Sequence, residues 1–125
     1  MSRLDEAKRI LMELHDRVAD INDVAIARTN GLVILSLRKS ASSDEKSERL
    51  LGGMASALFS ISKRAADQLL KGNFQSLLVQ IDTGSIFVIF TGSVVLIALT
   101  KPEPNLGLLS LEMEDAAAKL NKIFS

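Results

Sequence analysis

The sequence predicts a three-layer α/β/α domain of the α/β (α+β) class. Its apolar residues follow helical spacing in three segments and strand spacing in five, in the order α-β-β-α-β-β-β-α. Most of the strands are apolar on both faces, which is typical of a sheet that helices cover on both sides. We therefore expect a central, largely antiparallel five-stranded sheet with two helices on one face. The central helix, which joins the first two strands to the last three, should occupy the other face.

Composition favours a single domain and excludes several classes of function. The chain has 125 residues, enough for a core without disulfides, so we expect a single domain over residues 1–125. Fifteen basic residues balance fifteen acidic ones, so no charge excess indicates nucleic acid or an anionic membrane. There is no cysteine and only one histidine, which excludes thiolate chemistry and a typical zinc site. A charged start and short apolar runs predict a cytoplasmic protein without direct membrane insertion.

The first part of the chain predicts a helix and a hairpin. Ser2 is a suitable N-cap, and the apolar stripe that follows it has three- and four-residue spacing. This stripe comprises Leu4, Ala7, Leu11, Leu14, Val18 and Ile21. His15 lies beside the stripe among charged residues, which indicates a solvated histidine without a catalytic role. Asn30-Gly31 separates strand patterns at residues 24–29 and 32–38, and predicts a two-residue turn in which both residues have positive φ.

The helix predicted over residues 45–71 is more apolar than a single sheet-facing helix requires. Ser43 or Asp44 can cap its start, and Gly72-Asn73 can end it. At about 100° per residue, its apolar side chains form two neighbouring stripes. A single stripe about 100° wide is enough to cover one sheet. The first stripe comprises Leu50, Met54, Ala57, Leu58, Ile61 and Ala65. The second comprises Leu51, Ala55, Phe59, Ala66, Leu69 and Leu70. We expect one stripe to pack on the chain's own core and the other to bind a partner.

Three strands are expected after this helix, at residues 75–82, 86–91 and 94–100. Their connections are short enough for hairpins, which indicates an antiparallel meander. The first of the three nearly alternates between apolar and polar residues, a pattern typical of a half-covered edge strand. After two prolines, Asn105 can cap a last helix with its own apolar stripe.

The strand at residues 75–82 is predicted to pair with its own copy across a two-fold axis. It contains no proline, lysine or arginine to protect a free edge, and antiparallel self-pairing satisfies two-fold symmetry. Small residues of the second helix stripe would let two helices approach beside it. The predicted dimer interface comprises Leu51, Ala55, Phe59, Ser62, Ala66 and Leu70 of the helix and Gln75, Leu77, Val79 and Ile81 of the strand. Phe59→Glu should then give folded monomers, and Val79→Pro should remove an edge donor.

The sequence contains no set of side chains with catalytic spacing. Asp44 and Glu45 stand at a predicted helix start, where capping and the helix dipole account for them. No nucleophile can be combined with a base and an orienting group, and the phosphate-binding loop patterns are absent. We therefore predict no catalytic, cofactor-binding or metal-binding residues, and an interaction module instead of an enzyme. A small-ligand sensor with a pocket between sheet and helix is the alternative, although no polar groups mark such a cavity.

The order of elements resembles that of the Roadblock family, of the dynein light-chain roadblock type. The resemblance covers nearly the whole chain. It rests on the turn Asn30-Gly31-Leu32, the Ala- and Leu-rich central helix, the meander that ends in the apolar strand 94–99, and the loop Glu103-Pro104-Asn105-Leu106-Gly107-Leu108. The profilin-like and longin folds share much of this topology, so a longin- or profilin-like adaptor stays open as an alternative.

The resemblance implies a dimer and a role in binding. The partner of this chain in the dimer would be a second copy or a paralogous Roadblock protein. The third strands would pair edge to edge, and the central helices would pack together. It further implies a platform or regulator for a small Ras-like GTPase, or for a motor or signalling assembly.

Overall fold

The computed structural model describes residues 2–39 and 44–125, and its elements follow the predicted order. Helix α1 spans Arg3–Arg17, strand β1 Ile21–Ala27, strand β2 Val33–Arg38 and helix α2 Glu45–Leu70. Strand β3 spans Ser76–Ile81, strand β4 Gly84–Phe90, strand β5 Val95–Thr100 and helix α3 Leu106–Phe124. The strands form one antiparallel sheet in the order β2-β1-β5-β4-β3. Helices α1 and α3 pack on one face and α2 on the other, which confirms the predicted fold class.

The larger core lies between the sheet and the pair of helices α1 and α3. Ala7, Leu11 and Leu14 of α1 are buried there, as their spacing predicts, and the core continues into buried residues of α3. Leu4, expected on the same stripe, is 52% exposed. At that end of α1 the contact with α3 is made by Arg3, whose guanidinium carbon lies 5.4 Å from the centroid of the Phe124 ring.

The connection between β1 and β2 is longer than the predicted two-residue turn. The amide of Gly31 donates to the carbonyl of Arg28 at 2.9 Å, and the amide of Arg28 donates to the carbonyl of Leu32 at 2.8 Å. Of Asn30 and Gly31, only Gly31 has a positive φ, +97°. The prediction that both residues need positive φ is therefore wrong, because this hairpin closes a turn with a glycine bulge, in which only the glycine leaves the usual region.

Helix α2 packs directly on this turn through a glycine. A Cβ added at Gly52 would lie 2.0 Å from the carbonyl oxygen of Gly31, so only glycine permits so close an approach. One turn further along, the Ser56 hydroxyl donates to the carbonyl of Thr29 at 2.6 Å. These contacts fix which side of α2 faces the sheet.

The ends of α2 are capped by residues close to those predicted. Asp44 is the N-cap, since its carboxylate accepts from the Ser47 amide at 2.7 Å; Ser43, the alternative cap, lies outside the described residues. At the other end Lys71, with φ +55°, takes the left-handed conformation expected of Gly72-Asn73. The helix therefore ends one residue earlier than predicted.

The sheet has two free edges, β2 and β3. The prediction that residues 75–82 form a half-covered edge strand is confirmed for β3, where Leu77, Leu78 and Val79 are half-buried and Ser76 and Gln80 are exposed. The three strands between these edges, β1, β5 and β4, are the most deeply buried of the sheet.

Candidate functional site

The outer side of α2 and the end of β3 present a large exposed apolar surface. Leu50, Met54 and Ile61 of α2 are all more than half exposed, with Ile61 at 66%. Leu69 and Leu70 in the last turn and Ile81 at the end of β3 are exposed as well. Single exposed apolar side chains are normal, but a group of this size usually marks an interaction site. We call the set of Leu50, Met54, Ile61, Leu69 and Ile81 the apolar face; Leu70 lies about 160° around the helix from Met54 and does not belong to it.

The inner side of α2 consists of residues that the sequence assigned to the partner. Ala55 and Phe59 are buried, Phe59 to 6% exposure, in a core formed with Val88, Val95 and Ile97 of the sheet. The prediction that these two side chains meet a second copy is wrong, because Gly52 brings this side of the helix onto the chain's own sheet. Leu50, Met54 and Ile61 of the first stripe consequently face outward, whereas Leu58 of the same stripe packs against the α2-side core. Phe59→Glu would place a charge in the core, so it cannot test a dimer interface.

The other helix residues of the predicted interface differ in exposure. Leu51 is half-buried against the α2-side core, Ser62 and Ala66 are half-buried, and Leu70 is exposed. On the strand, Gln75 and Ile81 are exposed, whereas Leu77 and Val79 are half-buried. Leu77 packs in the α2-side core, and side chains alternate along a strand, so Val79 and Ile81 project to the same side as α2. Contact between these residues and a second copy stays a prediction.

Strand β3 offers a regular backbone edge next to the apolar face. Its register with β4 is unbroken from Ser76 to Ile81. The amide of Phe90 donates to the carbonyl of Gln75 at 3.0 Å, so every second residue from Gln75 turns its backbone groups to β4. These residues are Leu77, Val79 and Ile81, and the open edge belongs to Ser76, Leu78 and Gln80. The prediction that Val79→Pro removes an edge donor is wrong, because the Val79 amide faces β4.

A buried ion pair that was not predicted from the sequence lies beside the other edge. The Nε of Arg38, in β2, lies 3.3 Å from the Asp23 carboxylate of β1, and their side chains are 7% and 2% exposed. Arg38 also donates to the Ser47 hydroxyl of α2 at 2.9 Å, and the Lys39 amide donates to Asp23 at 2.8 Å. The only sequence signal was a carboxylate within an apolar strand. These contacts link β1, β2 and the start of α2, so the pair is structural.

His15 and Asp20 also make contacts within the fold. His15 is half-buried, less solvated than predicted, and its Nε2 lies 3.3 Å from the carbonyl oxygen of Asn22. Asp20 accepts from the Asn105 amide at 2.8 Å and lies 3.2 Å from the Lys101 ammonium. These donors, the Asn105 amide above all, hold the pKa of Asp20 below its ordinary value.

The described residues, 2–39 and 44–125, also bear on metal binding and membrane insertion. They contain no group of three or more histidine, aspartate or glutamate side chains placed to hold a metal ion. None of the helices in these ranges is long and apolar enough to cross a bilayer.

Comparison with known proteins places this geometry in context. The sequence model of the Roadblock/LC7 domain family matches residues 8–101 of this chain. The uncharacterized protein MJ1340 of Methanocaldococcus jannaschii is 30% identical over 93% of this chain and 97% of its own length. A solved structure of MglB in a tetrameric arrangement has a TM-score of 0.87 at 17% identity, over 99% of this chain and 91% of that one. A Roadblock/LC7 domain from Streptomyces avermitilis has a TM-score of 0.81 at 22% identity, over 91% and 93% of the two chains. The two structural likenesses show a shared fold.

Proposed function

Because this chain belongs to the Roadblock/LC7 domain family, we propose that it acts as a dimeric, non-catalytic platform for a small Ras-like GTPase or for a motor or signalling assembly. Family membership supports a regulatory or scaffolding role associated with small GTPases. The partner in the dimer would be a second copy or a paralogous Roadblock protein. The expectation of a cytoplasmic protein is part of this proposal.

The apolar face is the observation that carries the proposal. A helix that only covers its own sheet needs a single apolar stripe, and α2 already uses Gly52, Ala55 and Phe59 for that purpose. The outward apolar residues therefore serve no contact within the described chain. Covering them with a second copy would remove a large apolar area from water, which is the usual driving force of association.

The edge of β3 supports a specific arrangement for this dimer. Ser76, Leu78 and Gln80 turn their backbone groups outward, so a second β3 can pair antiparallel with the first across a two-fold axis. Val79 and Ile81 project to the α2 side, so the same pairing would bring both apolar faces together. This arrangement resembles one protein core divided between two chains, which is typical of obligate dimers.

The test of the dimer is a charge on the apolar face. Wild-type protein should give a dimer mass by light scattering at tens of micromolar. Ile61→Glu should give a folded monomer, because a buried carboxylate without a partner costs several kcal/mol. Since Ile61 is exposed in the single chain, its replacement leaves the chain's own core intact, and circular dichroism should confirm this. If Ile61→Glu remains a dimer at low micromolar concentration, the apolar face is not the interface.

Ser60→Glu is the matched control. Ser60 is exposed on the same turn of α2, about 100° around the helix from Ile61, and it faces away from the apolar face. The same charge at this position should leave the dimer mass unchanged. The platform role is then tested by capture from source cells with immobilised wild-type protein and Ile61→Glu. A small GTPase should be retained by the wild-type dimer and lost with Ile61→Glu.

A further inference from the structure

A groove of about 330 Å³ lies between the C-terminal half of α2 and the segment that leads into β3. Three phenylalanines form its floor. The ring centroid of Phe59 lies 5.6 Å from that of Phe74, edge to face, and 4.9 Å from that of Phe90. Phe59 is buried, but Phe74 and Phe90 are only half-buried, so their rings offer apolar surface to the groove. An aromatic floor in an open groove of this size favours a large apolar group.

The rim of the groove carries two cations and one carboxylate, from Lys63, Arg64 and Asp67 of α2. Lys63 and Arg64 are exposed, and neither forms an ion pair within the part of the chain that the structure describes. Arg49, earlier on α2, is paired with Glu45. The rim therefore has a net positive charge on a protein whose overall charge is zero. Carboxylates next to the apolar group would complement it.

The groove and the apolar face lie on different sides of α2. At about 100° per residue, Lys63 and Asp67 are displaced by about 40° and 80° from Phe59 in one direction around the helix. Arg64 is displaced by about 140° in that direction, which places it about 60° from Ile61. Met54 and Ile61 are displaced by about 140° and 160° in the other direction. A second copy packed on the apolar face would therefore leave the side of the groove that carries Lys63 and Asp67 open to a third protein, with Arg64 at the border between the two surfaces.

We propose that the groove binds a short segment of a partner protein in which one large apolar side chain is flanked by acidic residues. The apolar side chain would lie on Phe74 and Phe90, and the flanking carboxylates would contact Lys63 and Arg64. This inference rests on the proposed platform function and deepens it, since it assigns the partner a docking site outside the dimer interface.

The experiment uses three capped, dye-labelled hexapeptides and the dimeric protein. The first peptide is Glu-Asp-Leu-Phe-Asp-Glu. In the second, alanines replace leucine and phenylalanine; in the third, lysines replace the four acidic residues. We expect saturable anisotropy changes with the first peptide and at least about tenfold weaker binding of the other two. Chemical-shift changes in ¹⁵N-labelled protein should centre on the amides of residues 63–74 and 90.

The protein variants separate this groove from general charge effects. Lys63→Glu/Arg64→Glu should weaken binding of the first peptide at least about tenfold, since attraction becomes repulsion. Lys8→Glu/Arg9→Glu makes the same charge change at two exposed cations of α1 and should bind like wild type. Absence of saturable binding, equal affinity for the lysine peptide, or equal loss with the α1 variant would each overturn the inference.

Two other occupants are also distinguished. If Lys63→Glu alone converts the dimer to a monomer, a second copy occupies the groove and the inference is wrong. If 3-phenylpropionate binds as tightly as the first peptide, the groove is a small-molecule site and the inference is wrong as well. Failure of the proposed dimer is detected separately, by a wild-type monomer or a dimeric Ile61→Glu, neither of which depends on peptide binding.

Discussion

The two free edges of the sheet, β2 and β3, are built differently. The register between β1 and β2 shifts at Ile26 and Ala27, so β2 carries a bulge. Arg38 at the end of β2 is buried with Asp23 and bonded to α2. Strand β3 pairs with β4 without a shift, and its last residue, Ile81, is 57% exposed.

This difference indicates which edge is available for pairing. Natural sheets protect free edges with bulges, charges and covering elements, because an unprotected edge pairs with other chains. Strand β2 has all three. It carries the bulge and the charge of Arg38, and α2 starts over it, with Glu48 accepting from the Ser36 hydroxyl. Strand β3 has none of them. Helix α2 is bonded to β2 at its beginning through Ser47, whereas Leu69 and Leu70 in its last turn are exposed.

The largest effect is expected from removal of the buried carboxylate on the protected side. Asp23→Ala should lower the free energy of unfolding by about 3–5 kcal/mol, because it leaves Arg38 buried without its partner. Urea unfolding at fixed protein concentration measures the loss. Asp115→Ala is the control: it breaks an exposed pair with Lys119, 3.0 Å apart, and should cost at most about 1 kcal/mol. Equal losses for the two variants would show that the ion pair does not hold the β2 edge.

The next effect concerns the open edge. The Gln80 amide faces away from β4, so Gln80→Pro should leave the single chain folded and remove two symmetry-related hydrogen bonds from the dimer. At roughly 0.5–1.5 kcal/mol each, their loss should raise the dimer dissociation constant by about tenfold or more. Sedimentation equilibrium measures it. Gln80→Ala, which keeps the amide, is the control and should dimerise nearly as well as wild type. A dimer as tight as wild type in Gln80→Pro would rule out pairing through β3.

The sequence could predict the open edge because that signal is local. Near alternation of apolar and polar residues over 75–82, without lysine or proline, is visible in eight consecutive positions. The sequence also shows that α2 has more apolar surface than one sheet requires. It could not show which stripe turns inward. That choice depends on Gly52 meeting Gly31 and on Phe59 meeting Phe74 and Phe90, contacts between segments far apart in the chain.

The protected edge was harder to predict for the same reason. Asp23 and Arg38 lie 15 positions apart, and they meet only in the register that the β1–β2 hairpin sets. That register depends on the actual turn, in which Gly31 alone has positive φ, instead of the expected two-residue turn. The groove beside α2 is likewise invisible in the sequence, since its phenylalanines come from three different elements of the chain.

The smallest effect on stability is expected from the Asp20 carboxylate, which precedes β1 on the protected side of the sheet. The side chain of Asp20 is 15% exposed, and its pKa is held below the ordinary value of 3.8 by the Asn105 amide and by Lys101. A lowered pKa in the folded chain means that the unfolded chain binds the proton more readily. The stabilisation is therefore complete well above pH 3.8 and is lost as the pH falls through the pKa of the folded state.

Asp20→Asn should consequently be less stable than wild type at neutral pH, with a gap that narrows below about pH 4. Urea unfolding at a series of pH values from about 7 to 3 measures that gap. Lys101→Met should keep part of the pH dependence of the wild type, because the Asn105 amide is the largest single cause of the shift and remains in place. A gap between wild type and Asp20→Asn that stays constant down to about pH 3 would show that the carboxylate does not hold the α3 start to the sheet.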